Sequence, residues 1–193
     1  RTQEISNGSD LGHVLVARGA QSHGATLASR RPIEVLDVHR FSRRRWDPKG
    51  FVIGRIQLTT GHEIDIVSVH FDAMSADMRQ RQANELLTSV QAVQHRHGRR
   101  PLVVMGDFNQ DYSGATRRIA ESLSLCTIDT RTPTYTDFGL NRRLDWIFVS
   151  AELEMVSHQV LGGDLSDHHP IIADIRMREN HTSGSTQCVQ NIH

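Results

Sequence analysis

The chain has 193 residues, enough for one domain with a sizeable core and too few for two large ones. It is 37% hydrophobic and 23% charged, as is typical of a globular protein, and no stretch approaches the roughly 18 uninterrupted apolar residues of a membrane span. Because 22 basic residues balance 22 acidic ones, no molecule-wide positive field attracts nucleic acid. A polyanionic substrate would have to be held by local charge or by a metal ion.

The first half of the chain is predicted to contain short strands followed by one long helix. β-compatible runs predict strands at residues 13–17, 25–28, 33–38, 51–58 and 63–71. Thr59-Thr60-Gly61 has the composition of a hairpin turn between the last two. Ser75 is a suitable N-cap, Asp77 lies in the first turn, and apolar residues then recur at helical spacing until Gly98.

The second half predicts a buried strand, a shorter helix and three further strands. Residues 102–105 form a continuous apolar run, which is typical of a strand covered on both faces. A helix is predicted within residues 115–123. Further strands are predicted at residues 144–150, 154–161 and 171–177. We expect residues 1–178 to form one domain and the polar residues 179–193 to form a flexible tail. Hairpins mixed with a strand–helix–strand unit indicate a mixed β-sheet α/β sandwich.

Asp107 and Asn109 directly follow the buried run, in the sequence Gly-Asp-Phe-Asn. In extended backbone, residues two apart point to the same side, so we expect both side chains to enter one pocket while Phe108 points into the core. The carboxylate can hold a hard cation or polarise a water, and the amide can donate to a phosphate oxygen. Alternatively, Asp and Asn simply form a turn after the strand.

Asp167 and His168 stand side by side before Pro170, in the sequence Leu-Ser-Asp-His-His-Pro-Ile. If the backbone turns there, Asp167 could ligate a metal and His168 could act as a general base, since imidazole titrates near neutral pH. His169 is expected to be a bystander. The alternative is an ordinary polar loop.

Asp145 and His70 are the other candidate site residues. Asp145 is surrounded by Leu144, Trp146 and Ile147, where an unpaired carboxylate would be costly, so we expect a partner, such as a histidine whose tautomer Asp145 fixes. His70 ends a predicted strand, and taken alone it is more typical of a satisfied core histidine.

In combination, these segments resemble the endonuclease/exonuclease/phosphatase superfamily of DNase I-like, metal-dependent phosphoesterases. The matching stretches are GDFN, RRLDWIFVS, SDHHPI and VHF, with RTQEIS similar to the end of the family's glutamate-bearing strand. The resemblance implies metal ligation by Glu4 and Asp167, contact of Asp107 and Asn109 with the nucleophilic water and the phosphate, His168 as general base, Asp145 as its orienting group, and phosphate contact by His70.

The resemblance further implies a Mg²⁺-dependent hydrolase of phosphoester bonds, with a phosphodiester favoured, acting by in-line attack of an activated water. Mn²⁺ could replace Mg²⁺. The substrate, a nucleic acid, a phospholipid headgroup or a small phosphoester, stays open, and a monomer is expected. An alternative from another class is a catalytically weakened or inactive member that binds phosphorylated ligands or a protein partner.

Two expectations concern the start of the chain. Family members begin with a strand that carries an asparagine of the metal site, and nothing before Arg1 supplies it. We therefore expect the fold to lack that first strand, either because the sequence is N-terminally incomplete or because the metal site of this protein is weakened. The first residues show no signal-peptide pattern, and localisation is left open.

Overall fold

The computed structural model describes residues 13–16, 24–42, 49–129, 131–163 and 165–178, the first of these ranges by backbone only. The strands are β1 (His13–Val16), β2 (Thr26–Ser29), β3 (Glu34–Arg40), β4 (Gly50–Gln57), β5 (Glu63–His70), β6 (Leu102–Asp107), β7 (Leu125–Cys126), β8 (Asp145–Ser150), β9 (Leu153–Val160) and β10 (Ile171–Met177). The helices are α1 (Ala76–His97) and α2 (Gly114–Ser122), and Asp137–Gly139 forms a 3-10 turn. The predicted strands and helices are confirmed with shifted ends, whereas β7 and the 3-10 turn were not predicted.

Six strands form one mixed sheet in the order β3-β4-β5-β6-β8-β7. β5 and β6 run parallel because α1 crosses over between them, and the other neighbours are antiparallel. β1 with β2, and β9 with β10, form two further antiparallel pairs. The predicted α/β class with a mixed sheet is therefore confirmed.

Different layers cover the two faces of the six-stranded sheet. Val104 belongs to the main core together with Leu86 of α1 and Ile119 of α2. Its neighbour Val103 points to the other face, where it clusters with Leu153 of β9. β6 is thus buried on both sides, which explains why its sequence is a continuous apolar run rather than an alternating one.

The long helix α1 begins and ends as its sequence predicts. Ser75 is the N-cap, and its hydroxyl accepts a hydrogen bond from the Met78 N–H at 3.2 Å. Gly98 follows the last turn with a φ of 76°, a conformation that glycine adopts without strain. Across the described ranges, neither helix has the length and apolar character needed to cross a membrane.

Gly106 allows the close approach of β5 and β6 that positions the site. Its φ is 137°, and a side chain there would collide with the Val69 carbonyl oxygen. The next register pair along these two strands is His70 with Asp107. A glycine directly before Asp107 therefore lets a histidine and a carboxylate end neighbouring strands side by side.

Candidate active site

Polar side chains lie in a row at one end of the central strands. The strand register pairs His70 of β5 with Asp107 of β6, and Asp107 with Asp145 of β8. Neighbouring strands are about 4.8 Å apart, so each side chain in this strand-end row can reach the next. The sheet thus brings together residues that are distant in the sequence.

Asp145 and His168 form a hydrogen-bonded dyad at one end of the strand-end row. His168 Nδ1 lies 2.7 Å from Asp145 Oδ2, with side-chain exposures of 29% and 21%. The hydrogen bond to Asp145 raises the pKa of His168, against the lowering effect of burial and with the help of the charges on Asp145, Asp107 and Asp167. The predicted histidine partner of Asp145 is thus present, and His168 Nε2 is left for another contact.

The loop before β8 fastens both members of the dyad. The Thr134 hydroxyl accepts hydrogen bonds from the backbone N–H groups of Leu144 and Asp145, both at 3.0 Å. Tyr135 forms a β-bridge with His168, and their rings meet edge to face. Because Thr134 is fully buried, its hydroxyl holds the backbone of Asp145 in place.

Asp107 and Asn109 converge, but not by the expected extended geometry. Asn109 has a φ of 50°, so the chain turns back directly after β6. Its backbone N–H donates to Asp107 Oδ1 at 2.7 Å, and its Nδ2 donates to Asp107 Oδ2 at 3.1 Å and to the Phe71 carbonyl at 2.8 Å. The two side chains meet as expected, but the expected extended backbone was wrong, because the turn chemistry of Asp and Asn overrides the strand period here. Phe108 is fully buried, as predicted.

Asp107 is set up as an ionised carboxylate. Burial alone would raise its pKa, but the hydrogen bond and charge that His70 supplies when it is protonated, the Asn109 N–H and the charge of His168 together lower the pKa below the ordinary value of 3.8. A negative charge at the middle of the strand-end row can attract a cation or orient a water.

Lys49 is a member of the site that the sequence interpretation missed. It directly precedes β4, its exposure is 7%, and its Nζ lies 2.7 Å from His70 Nε2. The same His70 nitrogen is 3.2 Å from Asp107 Oδ2. One signal could have drawn attention to it, because Lys49 is the only lysine in the chain.

Three described side chains come close enough to share a metal ion. Ligand atoms of Asp107, Asp145 and His168 all lie within 4.8 Å of one another. Two carboxylates and an imidazole form a donor set that suits a divalent cation.

Asp167 is not part of this cluster. Its exposed carboxylate accepts a hydrogen bond from the Ser166 hydroxyl at 3.2 Å. Glu4, the other predicted ligand, lies outside the described residues, as does the predicted tail.

A cavity of about 450 Å³ opens beside Asp167. It is lined by Thr136, Asp137, Gly163, Leu165, Ser166, Asp167 and His169. Asp167 thus lines this cavity, whereas neither residue of the dyad does.

Residues 3–168 match the model of the Endonuclease/Exonuclease/phosphatase family. The chain belongs to this family. Most members of the family are metal-dependent hydrolases, and the cluster of Asp107, Asp145 and His168 fits such a member. A comparison with curated proteins gave no match.

Solved structures share the fold of this family member. The endonuclease/exonuclease/phosphatase from Bacteroides vulgatus is 20% identical, with a TM-score of 0.59 over 79% of this chain and 69% of that one. The human Nocturnin catalytic domain with bound sulfate anion is 20% identical, with a TM-score of 0.58 over 79% and 63%. A mannosyl-6-phosphatase from Bacteroides thetaiotaomicron is 18% identical, with a TM-score of 0.60 over 79% and 70%. These likenesses establish the DNase I-like fold, and the expected absence of a first strand stays a prediction.

Proposed function

We propose that this family member hydrolyses phosphodiester bonds by attack of a water molecule, with the help of a divalent cation. The observation that carries the proposal is the strand-end row, in which the hydrogen-bonded dyad of Asp145 and His168 stands beside the ionised Asp107. A general base next to a carboxylate is what the activation of a water requires.

His168 is the proposed general base. Asp145 accepts the Nδ1–H of His168, so Nε2 carries the lone pair that takes a proton from the water. Asp107, at the centre of the row, would orient the same water through its free lone pairs. The dyad therefore supplies the proton acceptor and Asp107 the alignment.

Asn109 and His70 are the proposed phosphate contacts. Both amide hydrogens of Asn109 are engaged, one by the Phe71 carbonyl and one by Asp107. A phosphate oxygen would replace Asp107 as the second acceptor, while the bond to Phe71 keeps the amide in place. His70 lies on the other side of Asp107 from the dyad, where a bound phosphate would extend.

The carboxylates of the site fit a hard cation. Of the described cluster, Asp107 would contribute a carboxylate to Mg²⁺, with the predicted ligands Asp167 and Glu4 as further donors, because Asp145 and His168 are engaged with each other. Mn²⁺ could replace Mg²⁺ because both ions prefer oxygen ligands. When bound, the ion supplies positive charge that stabilises the phosphoryl group.

An activity assay identifies the substrate class. The purified protein is assayed with Mg²⁺, and separately with Mn²⁺, on plasmid DNA, an abasic duplex, sphingomyelin and bis-p-nitrophenyl phosphate. Mannose 6-phosphate is added as a monoester, because a structure of similar fold is a mannosyl-6-phosphatase. We expect turnover of at least one diester and its loss in EDTA. Failure of every substrate with both ions would overturn the proposal and favour the alternative of an inactive, ligand-binding member.

A further inference from the structure

Of the 22 lysine and arginine residues in the chain, a single one is lysine and the rest are arginine. That single lysine, Lys49, is buried, and its Nζ contacts His70 Nε2 at 2.7 Å. Lysine carries a compact ammonium with three donors, whereas the guanidinium of arginine is a wide planar fork. A buried ammonium in contact with a histidine of the candidate site indicates a specific role for Lys49.

His70 Nε2 can form a hydrogen bond with only one of its two neighbours at a time, either as an acceptor from Lys49 or as a donor to Asp107. An ammonium only donates, so the contact with Lys49 requires Nε2 to be an acceptor. A bond from Nε2 to Asp107, at the longer distance of 3.2 Å, would instead require a proton on Nε2. The shorter contact favours the first arrangement, and Asp107 keeps the two hydrogen bonds that it accepts from Asn109.

The consequence is a fixed tautomer for His70. When Nε2 accepts from Lys49, the ring proton of the neutral imidazole lies on Nδ1, which has no hydrogen-bond partner among the described residues. The side chain of His70 is 25% exposed, so a substrate can reach it. His168 shows the opposite arrangement, because a carboxylate holds its Nδ1–H and leaves its Nε2 bare.

We propose that Lys49 is a positioning residue that makes His70 a hydrogen-bond donor to the leaving oxygen of the substrate. The proposal rests on the hydrolase function proposed above. His70 and the dyad lie on opposite sides of Asp107 in the strand-end row, which matches the in-line arrangement of attacking and leaving oxygens. A neutral imidazole is able to act as such a donor.

In the proposed step, the bond that forms at phosphorus is matched by the bond that breaks. The water oxygen bonds to phosphorus and its proton passes to His168 Nε2. The bond from phosphorus to the leaving oxygen breaks, and the electron pair stays on that oxygen. The Nδ1–H of His70 stabilises the developing charge by hydrogen bonding, and solvent supplies the proton that leaves with the alcohol product.

The first test reads the tautomer directly, without activity. Nitrogen-15 NMR of the metal-free protein, with His70 assigned by comparison with His70→Asn, should show the Nδ1–H form in the wild type. Lys49→Met should convert His70 to the Nε2–H form, because Asp107 then becomes the available acceptor. An Nε2–H form in the wild type, or an unchanged tautomer in Lys49→Met, overturns the proposal.

The second test uses a series of diesters that differ in leaving group. Lys49→Met should lower kcat on an alkyl leaving group by about 10²-fold, and much less on p-nitrophenolate, which needs little stabilisation. Lys49→Arg should restore part of the loss. Arg96→Met removes an exposed cation at the far end of α1 and should leave kcat unchanged. An equal loss on every leaving group would show a merely structural role and would overturn the proposal.

The experiments distinguish a failure of the hydrolase proposal from a failure of the Lys49 proposal. If the wild type hydrolyses none of the diesters, the hydrolase function fails, and the NMR tautomer still decides whether Lys49 controls His70. If the wild type is active and Lys49→Met keeps the wild-type kcat on alkyl diesters, only the role of Lys49 is overturned.

Discussion

Two histidines of this chain each lie near an aspartate, yet their surroundings are opposite. In the dyad of the candidate active site, His168 contacts Asp145 at 2.7 Å and both side chains are partly exposed. Elsewhere, His158 of β9 lies 3.6 Å from Asp129, and Arg143 contacts both. We call Asp129, Arg143 and His158 the buried cluster.

Arg143 determines the difference between the two histidines. One of its Nη atoms donates to Asp129 at 3.1 Å and to the Thr132 carbonyl at 2.9 Å, and the other donates to His158 Nε2 at 2.9 Å. Its guanidinium also lies 4.8 Å above the ring of Trp146. The arginine takes Asp129 as its own partner, so His158 faces a cation instead of an unshared carboxylate.

The pKa values of the two histidines move in opposite directions for this reason. Burial lowers the pKa of His158, the charge of Arg143 lowers it further, and Asp129 only partly compensates. Asp145, with no arginine bonded to it among the described residues, raises the pKa of His168. Of these two aspartates, the one that favours a protonated histidine is therefore the one for which no cation competes, which distinguishes the proposed proton-transfer site from the buried cluster.

The largest expected effect is on the rate. His168→Ala should lower kcat by about two to four orders of magnitude on any substrate that the wild type hydrolyses, because it removes the proposed general base. His62→Ala, an exposed histidine in the β4–β5 turn, is the control and should keep the wild-type rate. A His168→Ala variant with wild-type kcat would show that the dyad is not the base.

The next effect is on stability. Arg143 is 3% exposed, so Arg143→Met leaves Asp129 and His158 without their common donor. We expect the free energy of unfolding to fall by about 3 kcal/mol, the lower end for breaking a buried ion pair, because Asp129 keeps some solvent contact. Arg142→Met, which removes an exposed ion pair with Asp111, should cost less than about 1 kcal/mol in the same urea denaturation. Equal losses in the two variants would contradict a special role for the buried arginine.

A smaller, pH-dependent effect is expected for Asp129. Burial raises its pKa, but the Arg131 and Thr132 hydrogen bonds and the charge of Arg143 lower it below the ordinary value of 3.8. A carboxylate with a lowered pKa in the folded state stabilises the fold above its unfolded pKa, and this stabilisation is lost as pH falls through the folded pKa. Asp129→Asn should therefore cost about 1–3 kcal/mol at neutral pH. The difference from wild type should shrink in acid, and a pH-independent difference would argue against the charge of Asp129.

The smallest expected changes are in the histidine pKa values themselves, measured by NMR titration of the metal-free protein. Asp145→Asn should lower the pKa of His168 back toward its ordinary value, since the hydrogen bond to Asp145 is the main cause of its rise. Asp129→Asn should lower the pKa of His158 further from its ordinary value, because Asp129 opposes the fall. A rise in either pKa would contradict the comparison of the two regions.

Much of the fold could be predicted because its signals are local. Ser75, Gly98 and the apolar spacing between them define α1, and the run from Leu102 defines a strand buried on both faces. β7 was missed because two residues carry no periodicity. The convergence of Asp107 and Asn109 was predicted for the wrong reason, since a turn rather than an extended strand joins them.

The sequence alone predicted the order of the longer elements and proposed most of the candidate site residues, because periodicity, caps and short motifs depend on neighbours along the chain. Only the tertiary structure could show that Lys49 contacts His70 and that Arg143 is buried between Asp129 and His158. Both facts depend on register and packing between distant elements, and a basic residue before a strand looks the same in the sequence whether it meets water, a histidine or a carboxylate. The same packing makes His168 easier to protonate and His158 harder to protonate.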